Sequence, residues 1–279
     1  MSKVMAVILN YNSADDTKKC VDYLKKQEYT GLEICVIDNH STEGAEELEE
    51  YAKHNQILCI VSEENKGFSA GNNIGLKKAN EMGCEYAMII NPDVELRDEK
   101  YISRAISKMD EDKTVAVLGT DIINKKGQHQ NPSRELHFFE ETFWPYIILR
   151  NRLRKKLPYV KNYKRSGTCE KLSGCCFFIR MDFIKQAGYL DEKVFMYSEE
   201  ALLAAQIKEH GCSAYYLADI TAYHMHKDKK GKANEQSIKR FFESRRYFLT
   251  KTNRYGKLGN KIALKSIGIQ EKSLLKKNS

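Results

Sequence analysis

The 279-residue chain has only four prolines, one tryptophan and no run of 18 apolar residues. The last absence excludes a helix that spans a bilayer. Eight cysteines (20, 35, 59, 84, 169, 175, 176 and 212) contain no C-x-x-C pair. A zinc site needs ligands in close pairs, so none is expected. Several of these cysteines sit in apolar runs such as "EICVID" and "ILCIV", which suits free, buried thiols of a reducing cytosol. No G-x-G-x-x-G and no Gly-Lys-Ser/Thr occurs, which argues against a dinucleotide fold and a P-loop. The opening "MSKVMAVILNYNS" has one lysine and a short apolar run that soon turns polar, so it reads as a first strand and not a signal peptide.

What is present is charge, unevenly placed. The net charge is +8, yet residues 225–279 hold 16 basic against 4 acidic residues, a net of +12, so the preceding body carries −4. A second basic cluster, "RNRLRKKLPYVKNYKR", covers 150–165. Such tails are either a solvated surface or a seat for phosphates, whether of nucleic acid, anionic lipid or a polyphosphate ligand.

Hydrophobic patterning gives the fold class. Strands are expected at "KVMAVILN", "LEICVID", "ILCIVS", "YAMII" and "VAVLG". They alternate with helices over 14–27, 44–54, 69–82 and 99–110, the first opened by Ser13 as N-cap. Strands alternating with helices imply an α/β fold with a parallel sheet, and near-continuous apolar strands imply helices on both faces. Residues 121–170 are less regular and include an aromatic stretch, "LHFFEETFWPYIIL". A strand follows at "LSGCCFFIR", then helices over 181–187 and 199–210 and a strand-like "SAYYLADITAYH". The reading is one α/β domain over 1–233 with a basic helical C-terminal appendage over 234–279.

Ligands of open α/β sheets bind beyond the carboxyl ends of the strands. Four successive strand ends are polar: "NYNS" (10–13), "DNHST" (38–42), "EENKGFSAGNN" (63–73) and "NPDVE" (91–95). Gly67 and Gly71 would let backbone approach a ligand closely. Asp93 ends a strand behind Pro92, whose fixed φ limits where it points, and a carboxylate there suits Mg²⁺ or Mn²⁺ with substrate phosphates. Glu199 and Glu200 open an apolar helix, as helix-favouring acids or as a general base at the cleft edge. In "YHMH", alternation puts His224 and His226 on one face.

The ordered set "VILNYNS", "VIDNHST", "NKGFSAGNNIGL", "INPDVE", "LSGCCFFIRMDFIKQAGYLDEKVFMYSEE" and "AYHMH" resembles the inverting family 2 glycosyltransferases, over about residues 3–250, with the rhamnosyltransferase-like and capsular polysaccharide branch the nearest likeness. The resemblance implies a GT-A fold, a Rossmann-like mostly parallel sheet flanked by helices. It implies a nucleotide-sugar pocket lined by Asn10, Tyr11, Asn12, Asp38, Asn65, Lys66, Gly67, Gly71, Asn72, Asn91 and Asp93, with Asp38 on the base. Asn91-Pro92-Asp93 stands where many relatives have Asp-x-Asp, so Asp93, with His224, would hold Mn²⁺ or Mg²⁺ on the diphosphate. Ser173 and Gly174 would shape the acceptor side, and Glu199-Glu200 matches a Glu-Asp pair whose second acid is the base, which favours Glu200. Asn91 costs the site one anionic ligand, and Glu200 reaches one methylene further than aspartate.

The expected activity is transfer from a dTDP- or UDP-sugar, dTDP-L-rhamnose first, to a lipid-linked saccharide in bacterial capsule, O-antigen or cell-wall polysaccharide synthesis. The expected place is cytoplasmic, on the inner face of the cell membrane, with the basic tail on anionic lipid and no nucleic acid partner. Aromatic anchoring by "FFEETFWPYIIL" would add to this, and a homodimer is compatible with the sequence. A non-catalytic nucleotide-binding assembly subunit of the same fold is the alternative. A nucleotidyltransferase is disfavoured because "NYNSADDTKKC" lacks a Gly-rich, Arg/Lys-bearing signature.

Overall fold

A computed structural model describes residues 2–143, 162–226 and 234–278. The aromatic run beyond Phe143, most of the 150–165 basic cluster and the 233/234 division lie outside the described residues. In chain order the elements are β1 (Val4–Asn10), α1 (Ala14–Lys25), β2 (Leu32–Asp38), α2 (Ala45–His54), β3 (Leu58–Val61), α3 (Phe68–Glu81), β4 (Tyr86–Ile90), β5 (Val94–Glu95), α4 (Tyr101–Glu111) and β6 (Val115–Asn124). They continue as α5 (Phe138–Thr142), β7 (Gly167–Cys169), β8 (Cys176–Arg180), α6 (Met181–Gln186), α7 (Glu199–Glu209), β9 (Ser213–His224), α8 (Glu235–Thr252) and α9 (Gly256–Asn278).

One sheet runs β3-β2-β1-β4-β8-β6-β9-β5, and β7 also pairs with β9. β1 to β4 are parallel, β8 is antiparallel to both β4 and β6, and β9 is parallel to β6. Alternation along β1 divides the core. Val4, Ala6 and Ile8 face a layer with Val21, Leu24 and Tyr101, while Met5 and Val7 face Leu76, Phe177 and Ile207. Each such fully buried aliphatic side chain contributes about 1.5–3 kcal/mol. All eight cysteines are free thiols, and five of them are buried.

Three local expectations need correction. Ser13 stands at the N-cap position of α1, but its hydroxyl donates to Asn10 Oδ1 at 2.9 Å and caps nothing. "LSGCCFFIR" is strand only from Cys176, because residues 172–175 leave the sheet at the cleft. The short β5 and β7 carry too little pattern to be read in advance.

The two tail helices break at Asn253, which takes left-handed φ at the C-cap of α8. They share a small core of Ile238, Phe242, Leu249, Ala263 and Ile267. Buried ion pairs fasten them to the body. Arg245 bonds Glu141, which is 5% exposed, while nearby Arg134 bonds Glu140 through two hydrogen bonds of 2.6 and 2.7 Å. Lys251 and Tyr247 both donate to Asp191, at 2.6 and 2.8 Å. Removing one partner of a buried pair leaves an uncompensated charge. Arg245→Ala is therefore expected to cost about 3–5 kcal/mol in denaturant unfolding, and the double change Arg245→Met/Glu141→Gln much less.

Candidate active site

The Asn91–Val94 segment is a β-turn. Val94 N–H donates to Asn91 O at 3.1 Å, and Pro92 supplies the φ of the first central position. Asn91 N–H donates to Cys175 O at 2.8 Å, which ties the turn to the start of β8. Val94 then pairs with His224 and Glu95 with Tyr223, antiparallel, and Met225 N–H donates to Asp93 O at 2.7 Å. β9 reaches this place because its register against β6 shifts between Thr120 and Asp121.

The result is a cluster of Asp93, His224 and His226, with possible ligand atoms within 4.8 Å of one another. His224 Nε2 stands 3.3 Å from Asp93 Oδ1 and His226 Nδ1 3.0 Å from Oδ2. His224 Nδ1 is paired with Gln130 Oε1 at 2.8 Å, which leaves its buried Nε2 only the longer contact with Asp93. Burial pushes the Asp93 carboxyl up, but bonds and charge from His224 and His226 outweigh it and hold its pKa below the ordinary value. Burial pulls the His224 imidazole down, but contacts with Asp93 and Cys175 outweigh it and push it up to about 10. A carboxylate whose two oxygens each face an imidazole nitrogen, with the His224 ring held from behind by Gln130, fits a divalent cation. His226 was not among the metal ligands inferred from sequence, although its spacing of two from His224 was the available signal.

At the ends of β1 and β2, Asn10 and Asp38 are register partners and almost fully buried. Asn10 Nδ2 donates to Asp38 Oδ1 at 2.6 Å, and its Oδ1 accepts from Ser13 and Thr17. Asp38 also accepts from the Ser41 hydroxyl at 2.6 Å and backbone N–H at 3.0 Å. Contact between Asp38 and a base would require Ser41 to give way. Asn12 has left-handed φ and accepts from Thr42 and Glu43 N–H, while Tyr11 is half exposed on the rim. Asn65 accepts from Asn39 Nδ2 and Gly67 N–H, both at 3.0 Å, and Lys66 pairs with Glu64 in solvent. Asn72 is buried, with Nδ2 donating to Phe68 O.

The glycines serve contacts other than the ligand approach expected of them. A Cβ on Gly67, at φ +95°, would stand 2.0 Å from Phe195 O, and Phe68 N–H donates to that carbonyl at 3.0 Å. A Cβ on Gly71 would meet Leu9 at 2.4 Å, so Gly71 lets α3 pack on β1.

Phe195 opens the loop that presents the acid pair. Tyr197 and Ser198 both have left-handed φ, 75° and 66°, immediately before Glu199, an arrangement that costs backbone energy at non-glycine residues. Glu200 Oε1 accepts from Gly174 N–H at 3.3 Å, and Ser173 N–H donates to Asn131 Oδ1 at 2.8 Å. Both glutamates line a small apolar cavity with Phe68, Leu172, Phe177 and Leu203. Burial first, then the charge of Glu200, pushes the Glu199 carboxyl up to about 7. Residues 174 and 175 thus touch Glu200 on one side and the Asp93 turn on the other.

Residues 5–187 match the family model described as "Glycosyl transferase family 2". The low-salt glycan biosynthesis hexosyltransferase Agl10 of Haloferax volcanii is 26% identical over 94% of this chain and 80% of its own length. Glycosyltransferase GlyA of Streptococcus pneumoniae is 23% identical over 72% of this chain but 29% of its own length. Among solved structures, the mannosyltransferase PcManGT of Pyrobaculum calidifontis, in complex with GDP-Man and Mn²⁺, is similar with a TM-score of 0.62 at 18% identity, over 96% of this chain and 73% of that one. GalNAc-T7 with UDP, GalNAc and Mn²⁺ is similar with a TM-score of 0.64 at 17% identity, over 98% and 55%. The sheet flanked by helices is thus a GT-A fold, and the chain belongs to glycosyl transferase family 2 and is a glycosyltransferase.

Proposed function

We propose that this chain is an inverting transferase that moves a sugar from a nucleoside diphosphate donor to a hydroxyl of a saccharide carried on lipid, on the cytoplasmic face of the membrane. One observation carries the reading: the Asp93–His224–His226 cluster and the Glu199–Glu200 pair meet across the two-residue strip Gly174–Cys175. The loops at 10–12 and 65–67 frame the donor. Asp93 and the two histidines would hold Mn²⁺ or Mg²⁺, which when bound neutralises charge on the leaving diphosphate. Glu200, aimed by Gly174 N–H, takes the proton of the acceptor hydroxyl. That oxygen bonds to the anomeric carbon as the carbon–oxygen bond to the diphosphate breaks, and in-line attack inverts the centre. The donor proposed first is dTDP-L-rhamnose, then a UDP-hexose, and the product class is bacterial surface polysaccharide.

Incubation with a panel of UDP-, dTDP- and GDP-sugars tests the reading through free nucleoside diphosphate. Release from one donor is expected, lost with EDTA and in Asp93→Ala. Full activity in Asp93→Ala would sink the assignment.

Metal binding is measured separately by calorimetry with MnCl₂ alone. His226→Ala should weaken it at least tenfold, as loss of groups holding a metal typically does. Unchanged affinity would remove His226 from the site.

The acid pair sets the pH dependence. Glu199 is held protonated up to about 7, so the charge beside Glu200 changes there and kcat should inflect near pH 7. Glu200→Gln should lose about 10²–10⁴-fold. Glu199→Gln should keep transfer and remove that inflection, because position 199 then no longer titrates. Loss in Glu199→Gln with activity kept in Glu200→Gln would reverse the roles. The same shift bears on stability with the opposite sign. Glu199 is raised above its ordinary 4.5, so the folded chain holds the extra proton, and stability falls as pH rises through 4.5 to about 7.

A further inference from the structure

The helix α9 has two unlike faces. At 3.6 residues per turn, Asn260, Ala263, Ser266 and Ile267 fall on one side, and all are buried. Glu271, the one acid in its sequence, also lies there, bonded to Arg246. The opposite arc, roughly 100° wide, carries Leu258, Ile262 and Ile269, which are 73%, 46% and 56% exposed. Lys261, Lys265, Lys272 and Lys276 occupy the same arc, displaced to one edge, and all are exposed.

The apolar edge of this arc borders α5. Ser266 Oγ donates to Thr142 O at 2.6 Å, and Gln270 Nε2 to Glu141 O at 3.1 Å. Phe139 of α5 and Phe143 at its C-cap, joined by the Phe143 N–H bond to Phe139 O at 2.9 Å, are 74% and 60% exposed. Five large apolar side chains on two adjoining helices thus stand in solvent beside a row of four lysines with no acid among them. No helix among the described residues is long and apolar enough to cross a membrane. An apolar stripe alone would suit a protein partner equally. The lysine row beside it suits an interface with apolar tails below and anionic headgroups at its level.

We propose that this face of α9 and α5 docks on an anionic lipid bilayer, with Leu258, Ile262, Ile269 and the two phenylalanines entering the headgroup boundary and the lysines pairing with headgroup phosphates. The helix lies in the plane of the surface, about 35 Å long at 1.5 Å per residue. This surface goes beyond the transfer chemistry proposed above and is tested without donor or acceptor.

The experiment is co-sedimentation of the full chain with vesicles of phosphatidylcholine alone and of phosphatidylcholine with 30% phosphatidylglycerol. Binding to the anionic vesicles, weakening with salt, is expected. The quadruple change Lys261→Ser/Lys265→Ser/Lys272→Ser/Lys276→Ser should reduce partitioning by about 600-fold, since each lysine near such a surface contributes about fivefold. Ile262→Ser/Ile269→Ser should reduce it at least tenfold. Both variants alter exposed positions, so donor hydrolysis and circular dichroism should match the parent. No binding to either vesicle, or equal binding to both, would overturn the proposal. So would a dimer in sedimentation velocity that the isoleucine variant dissolves while vesicle binding is absent, because the stripe would then be a contact between copies. Vesicle binding by a chain that releases no nucleotide would leave this proposal standing and remove the transferase chemistry.

Discussion

The site depends on one reversal in the sheet. β8 enters between β4 and β6 and runs against both. Its first residue, Cys176, therefore pairs with Ile90, the last residue of β4. A parallel strand would have put its start at the far edge of the sheet, away from the ligand-binding ends. Because β8 is reversed, the residues just before it arrive at the end of β4, where the Asp93 turn begins. Cys175 fixes that turn through its carbonyl and Gly174 fixes Glu200 through its N–H. Two acids nearly 110 residues apart in the chain, Asp93 and Glu200, are thus set by one short strip.

The loop before Glu199 shows how the tail takes part. Residues 195–198 are pressed from one side by Gly67, where any side chain would collide with Phe195 O. On the other side lies α8. Ser244 Oγ donates to Met196 O at 2.7 Å, the Arg240 guanidinium lies 3.9 Å from the centre of the Phe195 ring, and Phe241 meets Tyr197 edge-on at 5.5 Å. Two consecutive non-glycine residues hold left-handed φ only where the surroundings over-determine them. The surroundings here include the C-terminal helices. These helices therefore do more than carry charge: they close the vice that presents the acid pair.

Sequence patterning made the framework legible for a physical reason. Strands covered on both faces are unbroken apolar runs, and the intervening helices have the contrasting period, so β1 to β4 could be placed within a residue or two, while β6 was placed only at its start and runs on to Asn124. Asp93 was legible because Pro92 marks the turn, and Glu199-Glu200 because acids opening an apolar helix stand out. The place of His226 is not legible, because nothing local reports that the two-residue β5 pins the end of β9 beside Asp93. The duty of Asn10 and Asp38 was equally hidden. Polar residues at strand ends look alike whether they face a ligand or each other, and only the register Asn10↔Asp38 shows that these two face each other. For Gly67, the sequence announces that a side chain is forbidden but not what forbids it, which is a carbonyl 128 residues away.

The resemblance in sequence sets Asn91 where an acid is expected, and charge gives a physical reason why an amide can stand there. A nucleoside diphosphate brings negative charge, and two carboxylates at its seat repel it unless a cation offsets both. Here the turn offers one carboxylate, and the two groups that face it are imidazoles, of which His224 is pushed up to about 10 by its contacts with Asp93 and Cys175. Neither imidazole adds negative charge, so the turn is less negative than a pair of acids would make it. In the acid pair Glu199 is pushed up to about 7, so near neutrality that pair carries less than its full charge. The turn and the pair together thus hold less negative charge than their three carboxyl groups would if all were ionised.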